Sequence, residues 1–589
     1  MDTHIVSALN CFHNALNDTP AEVFPFTRKI ATHLQEIDKT ASLANTAIKH
    51  FDVKLAVENY VKKHHIVEGF PTDASVEPDE SPYPDIWGIP NAYHTFYLSQ
   101  GGLPAWRRAR AIAAAKDYHA QQKSNSIGYP GNLNLNYQED FGCYLDTHVN
   151  NIGDAFQEGN STIHSKFMER AVLDYYAALW HAKWPHSDND LESYWGFTLT
   201  MGSTEGNLYG MWNARDYLSD KKILVDTKAW TSKGGKKVNL QPHQCDNPVE
   251  SRHTHTPIAF FSEDTHCSIS KCMTMLQIRT FYTEGREKYP TQCPITEDHD
   301  WPAKVPSDDS GAINIDDLTS LVEFFACRGY PIMVCFNYGT TFKGAFDDVA
   351  LACEKLQPIL LKHGLLERKV SWQDEDGTTK EDIRTGYWFH VDGALGAAYM
   401  PYLEMAYHGG LVDKQGPIFD FRLPMVHSIS MSGHKWIGAP APCGIYMTKT
   451  KYKMNPPDTP EYIGTPDTTI AGSRNGLSAM LLWDNIARNS YVDQVKKTLH
   501  LERMAAYTES SLRNLQVEVL KEDLYVERTA LGLTVRFKRV NDELCKKYSL
   551  LSNEDVDGKR YSQVFMMGHV TREMVDALVD DLSKEGAFA

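Results

Sequence analysis

Four short segments carry side chains whose types and spacing suit one kind of chemistry. In SISMSGHKWIGAPAPCG, residues 428–444, Lys435 follows a β-rich run and precedes a turn crowded with Gly and Pro, which puts its amine at the mouth of a sheet. An amine there forms a Schiff base only when a carbonyl group is held beside it; on position alone it also reads as a solvated surface lysine. In FHVDGALGAAYM, residues 389–400, Asp392 follows a buried run and is followed at once by small residues. Its carboxylate could pair with a protonated ring nitrogen and Ala394 would let a flat ring lie close, although Asp before Gly-Ala is also a good helix cap. In TMGSTEGNLYGMWNARD, residues 200–216, a strand ends at Met201 and Gly202, Ser203 and Thr204 turn into a helix. Free N–H groups, the helix dipole and two hydroxyls would cradle a phosphate there, and the same turn is a common cap. In FFSEDTHCSISK, residues 260–271, His266 lies just past a strand end, where an imidazole could stack on a ring; a lone histidine is more often a structural group.

These side chains need a scaffold that brings them to one edge. From about residue 190 to 450, short apolar runs alternate with helix-like segments: YWGFTLT, PIAFFS, PIMVCFNY, YWFHV, VHSISM and CGIYM. Buried strands alternating with helices predict an α/β domain with a mainly parallel sheet. The expected division is a helical N-terminal arm and Pro-rich acidic linker over 1–125, a large domain over 126–475, and a small α+β C-terminal domain over 476–589 with strands in GLTVRF and SQVFMMG. Two polar stretches, about 226–256 and 367–386, lack convincing periodicity and read as surface insertions.

Composition narrows the function. The formal charge is -17, from 59 basic and 76 acidic residues, with no basic stripe, which argues against nucleic acid or an anionic membrane as partner. No apolar stretch reaches the roughly 20 residues of a membrane-spanning helix, and the N-terminus lacks the pattern of an export signal. Eleven cysteines without CxxC pairs predict free thiols and a cytoplasmic address. His243, Cys245, His253 and His255 are all possible zinc ligands, but their irregular spacing in a polar insertion argues against a resident metal. WQDEDGTTKED, from Trp372, lacks the EF-hand spacing and reads as a solvated loop.

Taken with NSIGYPGNLNLNY from Asn125, HVNNIGDAFQEGNSTIHSKFMERAVLDYYAALW from His148, NYGTTFKGAFDDV from Asn337 and DTTIAGSRNG from Asp467, these segments identify a resemblance. Over about residues 125–500 the chain resembles the group II pyridoxal-phosphate decarboxylases of the aspartate aminotransferase-like fold (fold type I), in particular the bacterial histidine decarboxylase and plant serine decarboxylase branch. The resemblance implies a mainly parallel sheet of the seven-stranded type and pyridoxal 5'-phosphate as cofactor. It implies Lys435 as the cofactor lysine, Asp392 on the pyridine nitrogen and His266 on the ring face. Gly202, Ser203, Thr204 and Ser432 would surround the phosphate, Thr341 would lie near the phenolic oxygen, and His434 beside the substrate carboxylate or the phosphate. It further implies a homodimer with active sites at the interface, in which Tyr462, on a loop rich in Pro, Asp, Gly and Thr, reprotonates Cα in the neighbouring subunit. Tyr129 and Pro130 are expected to line the substrate pocket and lean toward a flat side chain: tryptophan, tyrosine, phenylalanine or histidine. Serine decarboxylation and aldehyde-forming oxidative deamination are the alternatives.

Overall fold

The computed structural model describes residues 89, 91–96, 98, 103–219, 256–373, 377–454, 460–555 and 558–589. The chain divides into two units, Met1–Tyr118 and His119–Ala589. In the first, a short helix spans Ala92–Phe96, and the Arg107 guanidinium donates to the His94 carbonyl oxygen at 2.9 Å. The arm expected before residue 66, the linker at 69–85 and the histidines and cysteine at 243–255 lie outside the described residues.

The second unit is organised by strands that are buried along their whole length. β1 (Tyr194–Leu199), β2 (Ile258–Phe260), β4 (Ile332–Asn337), β7 (Tyr387–Asp392) and β8 (Val426–Ser432) expose no residue on either face. Such strands need cover on both sides, which is why their sequences are continuous apolar runs rather than alternating ones. With β3 (Arg279–Thr280) and β9 (Gly444–Lys449) they form one sheet in the order β1-β9-β8-β7-β4-β2-β3. The pairs β2/β3, β2/β4, β4/β7 and β7/β8 are parallel, whereas β9 is antiparallel to both β8 and β1. Two reversals cancel, so β1, β2, β4, β7 and β8 all finish at the same edge, where open α/β sheets bind their ligands.

Packed around this sheet are α1 (Lys166–Leu179), α2 (Ser203–Leu218), α3 (Cys267–Leu276), α4 (Gly396–His408), α5 (Gly476–Arg488) and α6 (Tyr491–Asn514). After α6 a three-stranded antiparallel sheet, β10-β12-β11, is built from β10 (Thr534–Lys538), β11 (Leu551–Glu554) and β12 (Arg560–Phe565). Among the described residues no helix is long and apolar enough to cross a membrane, and no group of three or more His, Cys, Asp or Glu is placed to hold a metal.

The stretch expected to be an irregular insertion at 367–386 is instead a β-hairpin, β5 (Arg368–Gln373) and β6 (Thr379–Arg384). Its sequence shows no apolar alternation because five of the six residues of β6 are exposed. Backbone pairing and cross-strand charges such as Lys369 to Glu381 at 2.6 Å hold it. Among its described residues the buried ones lie toward the base. There Arg368 and Arg384, directly opposite each other, donate to the carbonyl oxygens of Leu218 at 2.9 Å and Tyr217 at 3.4 Å, placing two cations at the C-terminus of α2.

Several motifs that carried the resemblance are structural. Glu169 of α1 is fully buried and accepts from Thr198 N at 2.8 Å, Thr198 Oγ1 at 2.9 Å and Asn151 Nδ2 at 2.9 Å, and it pairs with the buried Arg474. Thr468 Oγ1 donates to Asp154 at 3.0 Å. The segments 148–158 and 467–476 are thus tied to β1 through one buried ion pair, a network costly to break on one side only.

Two histidines of the sheet interior give a pH prediction. His390 in β7 and His427 in β8 are buried, and burial pushes each imidazole down to about 3. Between about pH 6.5 and 3 the unfolded chain takes up protons that the folded chain refuses, so stability falls as pH drops, by about 1.4 kcal/mol per pH unit for each group. Thermal unfolding between pH 7 and 5 is expected to show this loss, with a shallower slope in His427→Gln.

Candidate active site

Five strand ends deliver the side chains singled out by the sequence. After β1, Gly202 takes φ of +68°, a left-handed conformation that L side chains rarely adopt, and α2 starts at Ser203. A Cβ at Gly202 would sit 2.5 Å from His434 Cε1, so glycine is required by conformation and by space. Ser203 N donates to Ser432 Oγ at 3.1 Å, and the two serine hydroxyls lie 2.9 Å apart. Thr204 is exposed. The first turn of the 16-residue α2 therefore brings backbone N–H groups to one strand end together with the hydroxyl-bearing residues Ser203, Thr204 and Ser432.

Asp392 is the last residue of β7 and is 6% exposed. Its Oδ1 accepts from Ala394 N at 3.2 Å and its Oδ2 from Asn207 Nδ2 at 2.7 Å. The cap reading of Asp392 is corrected: α4 begins at Gly396, after Leu395, which makes no side-chain cap. Asn207 lies one helical turn beyond Ser203 in α2 and is fully buried; the sequence reading passed over it. The available signal was the small and polar spacing of S-T-E-G-N, which brings an amide to the sheet side of a helix that starts at the phosphate turn. Gly210 lets α2 lie close to the sheet, since a Cβ there would be 2.8 Å from the His390 ring.

Lys435 lies in the turn after β8, half-buried, with no hydrogen bond from its Nζ to any described residue. Burial pushes its amine below the ordinary lysine range, and the nearby Asp392 carboxylate offsets part of that shift. His266 caps α3, its Nδ1 accepting from Ser268 N at 3.2 Å and lying 2.9 Å from Ser268 Oγ. Burial also lowers the His266 imidazole; Asp392 opposes the shift, while Lys435 and Lys271 reinforce it. Hydrogen bonds run from Asp392 through Asn207 and Ser268 to His266, and the Asp392 charge acts on Lys435, so the three form one cluster that sequence separation alone does not reveal.

His434 Nδ1 lies within 3.2 Å of both backbone polar atoms of Cys443, and burial lowers its imidazole. Thr341, in the turn after β4, lines a cavity of about 900 Å3 that also touches His266 and reaches across to β11 and Tyr561. Lys435 and Asp392 are not among its lining residues, so the cavity adjoins the cluster rather than enclosing it. Tyr129 and Pro130 are beside the lysine turn, because Asn132 N donates to the Lys435 carbonyl oxygen at 3.0 Å. Tyr129 is 53% exposed and so is enclosed in no aromatic pocket among the described residues. Tyr462 is 72% exposed, and its neighbours Glu461 and Ile463 are bonded through their carbonyl oxygens to Asn160.

Comparison with known proteins identifies relatives of the chain as a whole. A structure of the L-methionine decarboxylase from Streptomyces sp. 590 is 42% identical, with a TM-score of 0.76, over 83% of this chain and 97% of that one. Serine decarboxylase 3 of Oryza sativa subsp. japonica is 29% identical over 464 residues, 78% of each chain, and the histidine decarboxylase of Solanum lycopersicum is 26% identical over 469 residues, 79% of this chain and 86% of that one. The sheet and its neighbours are those of fold type I. The family model for the pyridoxal-dependent decarboxylase conserved domain matches residues 142–526, which contain every strand of the seven-stranded sheet and the whole Lys435, Asp392 and His266 cluster. By that match the chain belongs to the pyridoxal-dependent decarboxylases, carboxy-lyases that act on amino acids with pyridoxal phosphate as cofactor.

Proposed function

We propose that the chain decarboxylates an L-amino acid with an unbranched apolar side chain, methionine first among them, to the amine and carbon dioxide. The 42% identity to the Streptomyces L-methionine decarboxylase, against 29% and 26% for the serine and histidine relatives named above, carries the choice of substrate. Tyrosine, phenylalanine, tryptophan, histidine and serine remain the competitors, with aldehyde formation as a competing outcome. A panel of these amino acids assayed for carbon dioxide and amine is expected to give methionine a kcat/KM at least about tenfold above any other, the scale on which apolar pockets discriminate. A faster histidine, serine or aromatic substrate would replace the proposal.

The donor set fits the cofactor. Pyridoxal phosphate supplies the electron sink for the bond that breaks at Cα. The N-terminus of α2 with Gly202, Ser203, Thr204 and Ser432 would hold its phosphate, by dipole and hydroxyl donors that favour a dianion. Asp392 would face the ring nitrogen with lone pairs that Ala394 N and Asn207 do not use. Ala394 and His266 would bound the ring, and Thr341 would donate to its phenolic oxygen. The lowered Lys435 amine is an available nucleophile for covalent attachment. His434, Tyr129 and Pro130, all around the lysine turn, would orient the substrate and exclude water.

Tyr462 is assigned to protonating Cα in the site of a second subunit, so the active form is a homodimer with interfacial sites. Its high exposure supports this, and free thiols at all nine described cysteines support a cytoplasmic address. Tyr462→Phe is expected to bind cofactor and substrate normally while slowing amine formation about a hundredfold, the usual reach of a general acid. Stopped-flow product analysis with sedimentation on the same sample checks both claims: unchanged amine yield and rate would remove Tyr462, and an active monomer would remove the dimer.

A further inference from the structure

Behind Asp392 lies a fully buried polar chain that the reaction itself does not use. Asn207, Ser268, His390, Ser428, Ser430 and Trp388 are each at most 1% exposed. Asn207 makes every hydrogen bond its amide allows. Its Nδ2 donates to Asp392 Oδ2 at 2.7 Å and to Ser268 Oγ at 3.2 Å, and its Oδ1 accepts from Ser430 Oγ at 2.5 Å and from His390 Nε2 at 3.0 Å. Turning the amide over would aim its oxygen at a carboxylate, so the network fixes its orientation.

The direction of every proton follows. Since Asn207 Oδ1 can only accept, His390 carries its hydrogen on Nε2, and burial keeps the ring neutral. Its Nδ1 then accepts from Ser428 Oγ at 2.8 Å, and that oxygen accepts from Trp388 Nε1 at 3.2 Å. On the other branch Ser268 Oγ, having accepted from Asn207, donates to His266 Nδ1 at 2.9 Å. The neutral His266 is thereby held with its hydrogen on Nε2. All donors point from the sheet interior toward Asp392 and His266, and none is left without an acceptor.

We propose that Asn207 and His390 are positioning residues: they hold the Asp392 carboxylate as a fixed acceptor for the cofactor's ring nitrogen and, through Ser268, set the tautomer of His266. This rests on the assignment of Asp392 made above. A side chain at 390 that cannot donate leaves Asn207 Oδ1 held by Ser430 alone, so the amide that orients Asp392 is less firmly fixed.

The test replaces His390 by Phe, which fills the space without donating, and by Gln, whose amide can donate to Asn207 and accept from Ser428. His390→Phe is expected to weaken the equilibrium binding of pyridoxal phosphate about tenfold and to move the pH midpoint of the bound cofactor's visible absorbance by about one unit. Its kcat should fall with KM little changed, and His390→Gln should return all three within about threefold of the parent. Should the Phe variant fail to fold, Ser430→Ala removes the other bond to Asn207 Oδ1 and should shift affinity and midpoint in the same direction. A folded Phe variant, or in its place Ser430→Ala, with parental affinity and midpoint overturns the proposal, as does a Gln variant no better than Phe. A parent chain that does not bind pyridoxal phosphate fails the site reading first; a binding parent with an unresponsive variant fails this proposal alone.

Discussion

Lys435→Ala is expected to yield a folded protein that cannot hold pyridoxal phosphate covalently and that loses amine formation by about a thousandfold or more, roughly 4 kcal/mol of transition-state stabilisation. The position explains the size of the effect. Lys435 follows β8 in a turn whose backbone is anchored by Asn132 N on its own carbonyl oxygen, so the amine is carried on a rigid element. Burial lowers its pKa, and no described residue competes for its Nζ. Removing it deletes the nucleophile without deleting a structural partner, which is why folding should survive. Borohydride reduction of the parent followed by peptide mapping is expected to place the reduced cofactor in the peptide containing Lys435. Label on another lysine would sink the assignment.

Asp392→Asn should preserve the fold and lower turnover by about a hundred- to a thousandfold, or roughly 3 to 4 kcal/mol. An amide has nearly the carboxylate's shape but no charge to keep a ring nitrogen protonated. It also breaks one of two existing bonds, because Asn207 Nδ2 and Ala394 N each donate to one carboxylate oxygen and one of them would face an NH2 group. The loss should appear in kcat more than in KM, since ring protonation matters most as charge develops. Near-parental turnover in Asp392→Asn, with thermal stability intact, would rule out the role.

The two substitutions read different parts of the site. In the proposed site Lys435 is the point of attachment, which either happens or does not. Asp392 stands at the end of β7, bonded to Asn207 and through it to the buried chain behind, so its effect is expected to be graded. Comparing the cofactor absorbance of Asp392→Asn with that of His390→Phe separates the charge itself from the device that holds it.

What the sequence by itself determined was the class of scaffold and the members of the cluster. Continuous apolar runs such as PIMVCFNY and VHSISM can be satisfied only as strands covered on both faces, and strands of that kind end where chain turns and small residues follow. Lys435, Asp392, His266 and Gly202 were legible because each stands just past such a run, and the local pattern encodes strand ends. The hairpin at 368–384 was illegible for the opposite reason: an exposed ladder held by backbone bonds and charges needs no apolar period, and its two anchoring arginines look like any others in the sequence. Only the tertiary structure decided that Asn207 lies under Asp392, that His390 and Ser430 lie under Asn207, and that Arg474 closes on Glu169 across 305 residues. These contacts are set by how β1, with α2 after it, comes to lie against strands formed much later in the chain, and a buried polar side chain is chosen by the partner it meets there rather than by its neighbours in sequence.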